Sequence, residues 1–520
     1  MSTAETKKFG RVRSFLWPIH RSEHKKFIPM FLIGFLISFN YNLLRAAKDT
    51  MVITAPGSGA EAIPFLKVWV MIPMSILMTF IFTRISNRFD KEKVFYWMIG
   101  IFLGFFFLFT FFLYPFREFL HPHHLSDYYQ NLLPTGFKGL IALIRNWTFT
   151  AFYVMSDLWS SIIFTVLFWG FANDVTSVKE AKRFYALFGV AVNMSGIFSG
   201  QAAMYLSSNI YRAYLPYGTT AWEQSVLFLN STILITGLVI IWIYRWISKH
   251  VIRKTMIYSE MPKIKMSVRK NFSYIGKSKY LLSIAVIVVT YNLCINLAEV
   301  VWKNQVKELY PNPSEFNIYM GQVMSLMGVI ATTTSLFISG YLIRRFSWTS
   351  VAMIPPAIML GTGIFFFGFM VYKDSFLGTF AALLGTTPLI MSVLFGTLQN
   401  CLCRASKYTL FDATKEMTFI PLSNECKLKG KAAIDGVGSR IGKSGGSLLH
   451  QSLLMIFSTI SASTPMVGGI FLGVVAIWSF AVISLGKQFK SLLAHKETID
   501  IPDADKEALL LKQKNQEALS

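Results

Sequence analysis

Apolar positions in this chain gather into long, nearly unbroken runs, without the strict alternation of a half-buried strand. Twelve runs, at residues 27–45, 63–84, 94–114, 140–171, 182–207, 225–246, 280–300, 317–344, 349–372, 376–404, 436–461 and 465–486, reach or approach the length that crosses a hydrocarbon core. Such a core is about 30 Å thick and needs roughly 20 helical residues. The pattern predicts an all-α membrane protein of twelve transmembrane helices. The fourth and tenth runs are long enough for tilted or extended helices, and each has room to conceal a break.

Composition agrees, with 53% hydrophobic, 15% aromatic and 15% charged residues over 520 positions. A net charge of +23 would point to nucleic acid in a soluble protein. Here its distribution says otherwise. Lys and Arg crowd residues 1–26 and then alternate connections (84–93, 179–183, 249–279, 344–345, 407–431), while 208–224 and 462–464 carry few. This positive-inside pattern predicts both termini in the cytoplasm of a multi-pass protein embedded in a lipid bilayer, with no nucleic-acid partner. No short apolar region with a cleavage site follows the first charges, and a bacterial inner membrane is the expected address. The expected divisions are an N-terminal segment (1–26), a six-helix half (27–246), a basic linker (247–279), a second half (280–486) and a solvated tail (487–520). The linker segment 248–279 has nine Lys/Arg against one acid, which suits the anionic inner leaflet. The four cysteines indicate neither a disulfide framework nor a zinc site.

Charges inside the runs are the informative exceptions, because a cation at bilayer depth costs roughly 2.5–3.5 kcal/mol and normally faces a partner or a wet path. The first run ends in Phe39-Asn-Tyr-Asn-Leu-Leu-Arg-Ala-Ala-Lys-Asp-Thr50, with Arg45, Lys48 and Asp49. The fourth carries Arg145 and, near its middle, Asp157. These two stand about 18 Å apart along one straight helix, so each needs its own partner. The seventh carries Asn292, Asn296 and Glu299 on one face, followed by Trp302-Lys303. The eleventh carries Arg440 and Lys443 among glycines. Asp157 and Glu299 are also the candidates for proton coupling.

An internal repeat orders these features. Phe39-Asn-Tyr-Asn-Leu43 matches Val289-Thr-Tyr-Asn-Leu293 at an offset of 250, which sets Asp49 opposite Glu299; residues 189–200 match 436–447 at an offset of 247. Two related six-helix halves follow, the architecture of major-facilitator-like transporters.

The intramembrane excess of cations favours a polyanionic cargo, and Lys, Arg and backbone N–H groups are what phosphate groups ask for. Tyr41, Trp147, Trp159 and Tyr291 offer faces on which a base could stack, although aromatics in membrane helices more often pack or face lipid. No nucleotide-binding P-loop, H-E-x-x-H or nucleophile-base set is found, so an enzyme is not expected. Gly442-Lys443-Ser444 lacks the preceding glycine of a P-loop. His121, His123 and His124 form a loop cluster with no metal expected, and no cofactor is implied.

The chain resembles the bacterial and plastid type of ATP/ADP translocase, a nucleotide-transporter family. The resemblance rests on Leu44-Arg-Ala-Ala-Lys-Asp-Thr50, Leu167-Phe-Trp-Gly-Phe-Ala-Asn173, Glu180-Ala-Lys-Arg-Phe-Tyr-Ala-Leu187, Phe411-Asp-Ala-Thr-Lys-Glu-Met417, Lys427-Leu-Lys-Gly-Lys-Ala-Ala-Ile-Asp435 and Gly436-Val-Gly-Ser-Arg-Ile-Gly-Lys-Ser-Gly-Gly-Ser447. It implies a carrier exchanging ATP for ADP, with functional residues falling on Lys48, Asp157, Glu299 and Lys443. Substrate binding is expected from Lys48, Arg45, Arg145, Asp157, Asn292, Glu299, Arg440 and Lys443. Asp157 stands where many members carry Glu, and Ala46-Ala47 replaces residues that are often polar. Both leave substrate range and transport mode open. The alternatives are proton-coupled import of several nucleoside triphosphates and, more distantly, transport of an anionic lipid. A monomer is the expected unit.

Overall fold

The computed structural model describes residues 17–252, 278–422, 430–431, 434–435 and 438–495. Most of the basic linker, Cys426, five of the nine residues of the 427–435 motif, Gly436, Val437 and the tail beyond residue 495 lie outside them, as does the N-terminal segment through residue 16. The described chain is almost wholly helical. Its long helices are α1 (His24–Ile53), α2 (Ala62–Arg88), α3 (Lys91–Leu113), α4 (Trp147–Val175), α5 (Val178–Leu206), α6 (Ala221–Ile247), α7 (Lys279–Leu309), α8 (Pro313–Arg345), α9 (Trp348–Val371), α10 (Pro388–Thr418), α11 (Ser439–Phe457) and α12 (Ile460–His495).

Twelve spans were expected, and the count is lower. Among the described residues ten helices are long and apolar enough to cross a membrane, or eleven if Phe376–Leu383 and α10, bent by 89° at their junction, form one span. Helix α11 is not among them because Arg440, Lys443 and a run of Gly and Ser dilute its apolar content; it ends at Ser458, whose φ is +66°. Two other departures are local. The apolar run 140–171 breaks at Asn146 (φ −109°, ψ 47°), so Lys138–Arg145 is a separate short helix and α4 begins at Trp147. The bend before α10 is made by Gly385 in the left-handed region (φ +68°) and by Thr387, which caps Ile390 N–H from the residue before Pro388.

Two compact units emerge. One comprises residues 17–252 with Lys303–Thr333, and the other residues 278–302 with 334–495. The first contains α1 to α6 and the first part of α8, with α5 packed against both α1 and α8. Ser177 and Glu180 start α5 with reciprocal hydrogen bonds, Glu180 N–H donating to Ser177 Oγ and Ser177 N–H to Glu180 Oε2 (2.8 Å). In the second unit α9 packs on α10 and α12, and α11 lies close against α7. There a Cβ on Gly442 would sit 2.6 Å from Val289 O and 2.7 Å from Asn292 Cβ. Large apolar side chains such as Ile76, Phe80, Ile235, Trp242 and Phe480 stay exposed, as a lipid-facing surface requires. Cys294, Cys401 and Cys403 are buried.

Small residues set the α5–α8 spacing. A Cβ on Gly200 would come within 2.7 Å of Ser325 N and closer still to Gly321 O, both on α8, whereas one on Gly170 would meet nothing within 4 Å. Gly200→Ala is therefore expected to destabilise the purified protein by about 1–3 kcal/mol through overpacking, and Gly170→Ala to leave its thermal unfolding unchanged or slightly raised.

Candidate functional site

In the first unit, Lys48 on α1 is ion-paired with Asp157 Oδ1 on α4, and its Nζ lies 4.0 Å from the centre of the Tyr153 ring. The Lys48 side chain is 5% exposed and the Asp157 side chain 39%, so the cation is buried beneath its acid. Trp159, two residues beyond Asp157, donates from Nε1–H to Ile37 O (3.0 Å), a second tie of α4 to α1. Asp49, the next residue of α1, pairs instead with Lys303 on α7 (2.8 Å), both side chains essentially inaccessible. Beside it, Thr50 Oγ1 donates to Asn317 Oδ1 (3.0 Å) and Asn317 Nδ2 to Ser207 Oγ (2.6 Å). Lys307, one turn beyond Lys303, donates to Ser58 O (2.6 Å).

In the second unit, Glu299 on α7 pairs with Arg404 on α10 (2.9 Å), at 11% and 16% side-chain exposure. The two units thus repeat one arrangement with the signs exchanged. Asp157 and Arg404 are 247 residues apart, the offset of the longer internal match, and Glu299 corresponds to Asp49, the neighbour of Lys48. Each fourth-helix charge also stands just before a stretch of wide, π-type turns, Trp159–Phe168 after Asp157 and Lys407–Phe411 after Arg404. Asparagines at different register positions also tie each first helix to the fifth helix of its series. Asn42 Nδ2 donates to Ser195 Oγ on α5 (3.3 Å), and Asn296 Nδ2 to Lys443 O on α11 (2.7 Å).

The other sequence candidates separate. Arg45 is half-buried three residues before Lys48, while Arg440 and Lys443 are exposed on α11. Asn292 bonds its own helix at Val288 O (2.8 Å) and packs against Gly442. Arg145 does not lie within α4. The break at Asn146 puts it on the preceding short helix, where it pairs with Asp127 and donates to Gln130 Oε1 (3.1 Å). Trp159 and Tyr291 are packed rather than open for stacking, Tyr291 lying against Phe411 and edge-on to Trp478. Sequence reading missed Arg404 and the pairing role of Lys303. Arg404 closes an apolar run and reads as a snorkelling terminus, although the offset of 247 applied to Asp157 lands on it.

The histidine cluster has a structural assignment. His121 Nε2 is 2.7 Å from Thr148 Oγ1 and its ring stands edge-on to Phe149. Burial, and then the nearby His123, lower its pKa to about 4. It lines a cavity of about 360 Å³ with Arg117 and Glu223, which are paired at 2.6 Å.

The profile of the TLC ATP/ADP transporter family matches residues 2–489. The chain belongs to that family. It is 45% identical over 503 residues to ADP,ATP carrier protein 1 of Chlamydia muridarum, covering 96% of this chain and 94% of that one. It is 41% identical over 473 residues to ADP,ATP carrier protein 2, chloroplastic, of Arabidopsis thaliana, covering 91% and 76%. Among solved structures it resembles a bacterial homologue of the iron transporter ferroportin in an inward-facing state (TM-score 0.54, 13% identity, 90% and 98% coverage) and the D-xylose-proton symporter (0.51, 12%, 89% and 96%). At that identity the likeness shows the fold alone: an all-α, multi-pass, major-facilitator-like membrane transporter.

Two outcomes follow for stability. Lys303→Met strands the buried Asp49 carboxylate and is expected to cost about 3–5 kcal/mol, whereas Asp49→Leu/Lys303→Met recovers most of it; thermal unfolding of the purified variants checks both. For His121, the folded pKa lies below the ordinary 6.5, so the unfolded chain binds the proton first as pH falls. Its stabilising contribution is present above pH 6.5 and is lost toward pH 4, and His121→Gln should flatten the decline in Tm across that interval.

Proposed function

We propose that this protein exchanges ATP for ADP across a bilayer by alternating access, as a carrier and not an enzyme. The observation that carries the reading is the family match along nearly the whole chain, together with 45% identity to a protein named an ADP,ATP carrier. The charged residues in the membrane helices support it. Lys48 and Lys443, with Arg45 and Arg440, neutralise phosphate oxygens, and Asp157 and Glu299 hold cations when no nucleotide is bound. Cations at this depth need an anion, and a carrier whose cations can exchange a carboxylate for a phosphate has a reason to reorient only when loaded. Arg145 is left out of this set because Asp127 and Gln130 already engage it. On this reading the chain is two related six-helix halves, residues 27–246 and 280–486, with both termini cytoplasmic and a bacterial inner membrane as its address.

Proton-coupled import of nucleoside triphosphates is the second reading, and one observation favours it: the Asp157 side chain is 39% exposed while its partner is buried. An acid open on one side is placed to take a proton. Uptake of labelled ATP into proteoliposomes, with and without internal ADP and with and without a protonophore, separates the readings. Exchange requires strong stimulation by internal ADP and indifference to the protonophore. Uptake that ignores internal nucleotide and collapses with the protonophore overturns it. On the exchange reading, Lys443→Ala lowers uptake by about ten-fold or more, as loss of a charged phosphate contact should, with the amount of folded protein unchanged.

A further inference from the structure

We infer that Arg404 is a phosphate-binding residue of the carrier, held by Glu299 in the empty state as Lys48 is held by Asp157. The inference rests on the nucleotide-carrier reading and adds to it a residue and a division of labour. Three observations point the same way. The first is position. Arg404 occupies on α10 the place that Asp157 occupies on α4, 247 residues earlier, and each bonds across to the first helix of its six-helix series. The second is local structure. Asp157 stands two residues and Arg404 three residues before a stretch of π-type turns, a feature frequent at functional sites. The third is chemistry. A guanidinium presents a planar fork of donors suited to phosphate oxygens, and it keeps its charge when buried.

The exchange of signs puts the acid-held cation on the first helix of the series in one unit and on the fourth in the other, and in each the carboxylate is one that a phosphate can replace.

Three variants test this in the exchange assay, with folded protein measured by size-exclusion chromatography and thermal unfolding: Arg404→Gln, Arg404→Lys and the charge-swapped Glu299→Arg/Arg404→Glu. Arg404→Gln is expected to raise KM for ATP and ADP by about ten-fold or more. The swapped pair is expected to fold with near-normal stability and yet to transport poorly, since the pair is remade but the fourth-helix cation is gone. Recovery of wild-type KM by the swapped pair overturns the inference and makes the pair structural. If Arg404→Gln does not fold, Arg404→Lys decides, because it keeps the ion pair and loses the planar fork: a raised KM supports phosphate binding and an unchanged one overturns it. Should the wild-type protein show no exchange, that reading falls by itself, and binding of labelled ADP to purified protein judges Arg404 separately. A Kd unchanged by Arg404→Gln then overturns the inference, and a weakened one supports it.

Discussion

An ion in hydrocarbon must have a counter-ion, and this single requirement shapes the membrane-embedded polar chemistry of the protein. Lys48 with Asp157, Asp49 with Lys303 and Glu299 with Arg404 are its three solutions. Each joins helices far apart in sequence. In each, the desolvation cost is large, and the pair is tolerated only while both partners stay in place.

Helix α1 bears the most consequences. Lys48 and Asp49 are adjacent, so their side chains leave the helix about 100° apart and cannot serve one partner. They engage α4 on one side and Lys303 on the other, which fixes the rotation of α1 about its own axis more tightly than its apolar packing would. Asn42, one and a half turns earlier, adds a third contact to α5. A helix so held presents Arg45 and Lys48 in a defined direction. Two neighbouring charges of opposite sign thus act as an alignment device as well as chemistry.

Much of this was legible in the chain before any coordinates. Lys48, Asp157 and Glu299 stand out because a charge inside an apolar run has few bland explanations, and the family resemblance fell on the same positions. Partnerships were not legible. Lys48 and Asp157 are separated by 109 residues and Glu299 and Arg404 by 105, distances that only tertiary packing closes. Hydropathy also hid the break at Asn146, because the residues on both sides are apolar, and so Arg145 was set on the same helix as Asp157. In α11 glycine, serine and two cations interrupt a run whose ends are apolar, so that span is not confirmed among the described residues. Arg404 escaped notice at the end of its run, where an arginine ordinarily reaches for headgroups.

The pairing has an electrical side. A single charge moved through the whole membrane potential exchanges about 2.3 kcal/mol per 100 mV with the field, which is how voltage sensors work. A lysine and an aspartate that travel together carry no net charge and exchange almost nothing. With Lys48, Asp49, Glu299 and their partners all closed into neutral couples, rearrangement of the empty protein is nearly silent to voltage at these positions. Any dependence of the transport cycle on membrane potential would then be carried by the charge of the cargo and by whichever couple the cargo opens.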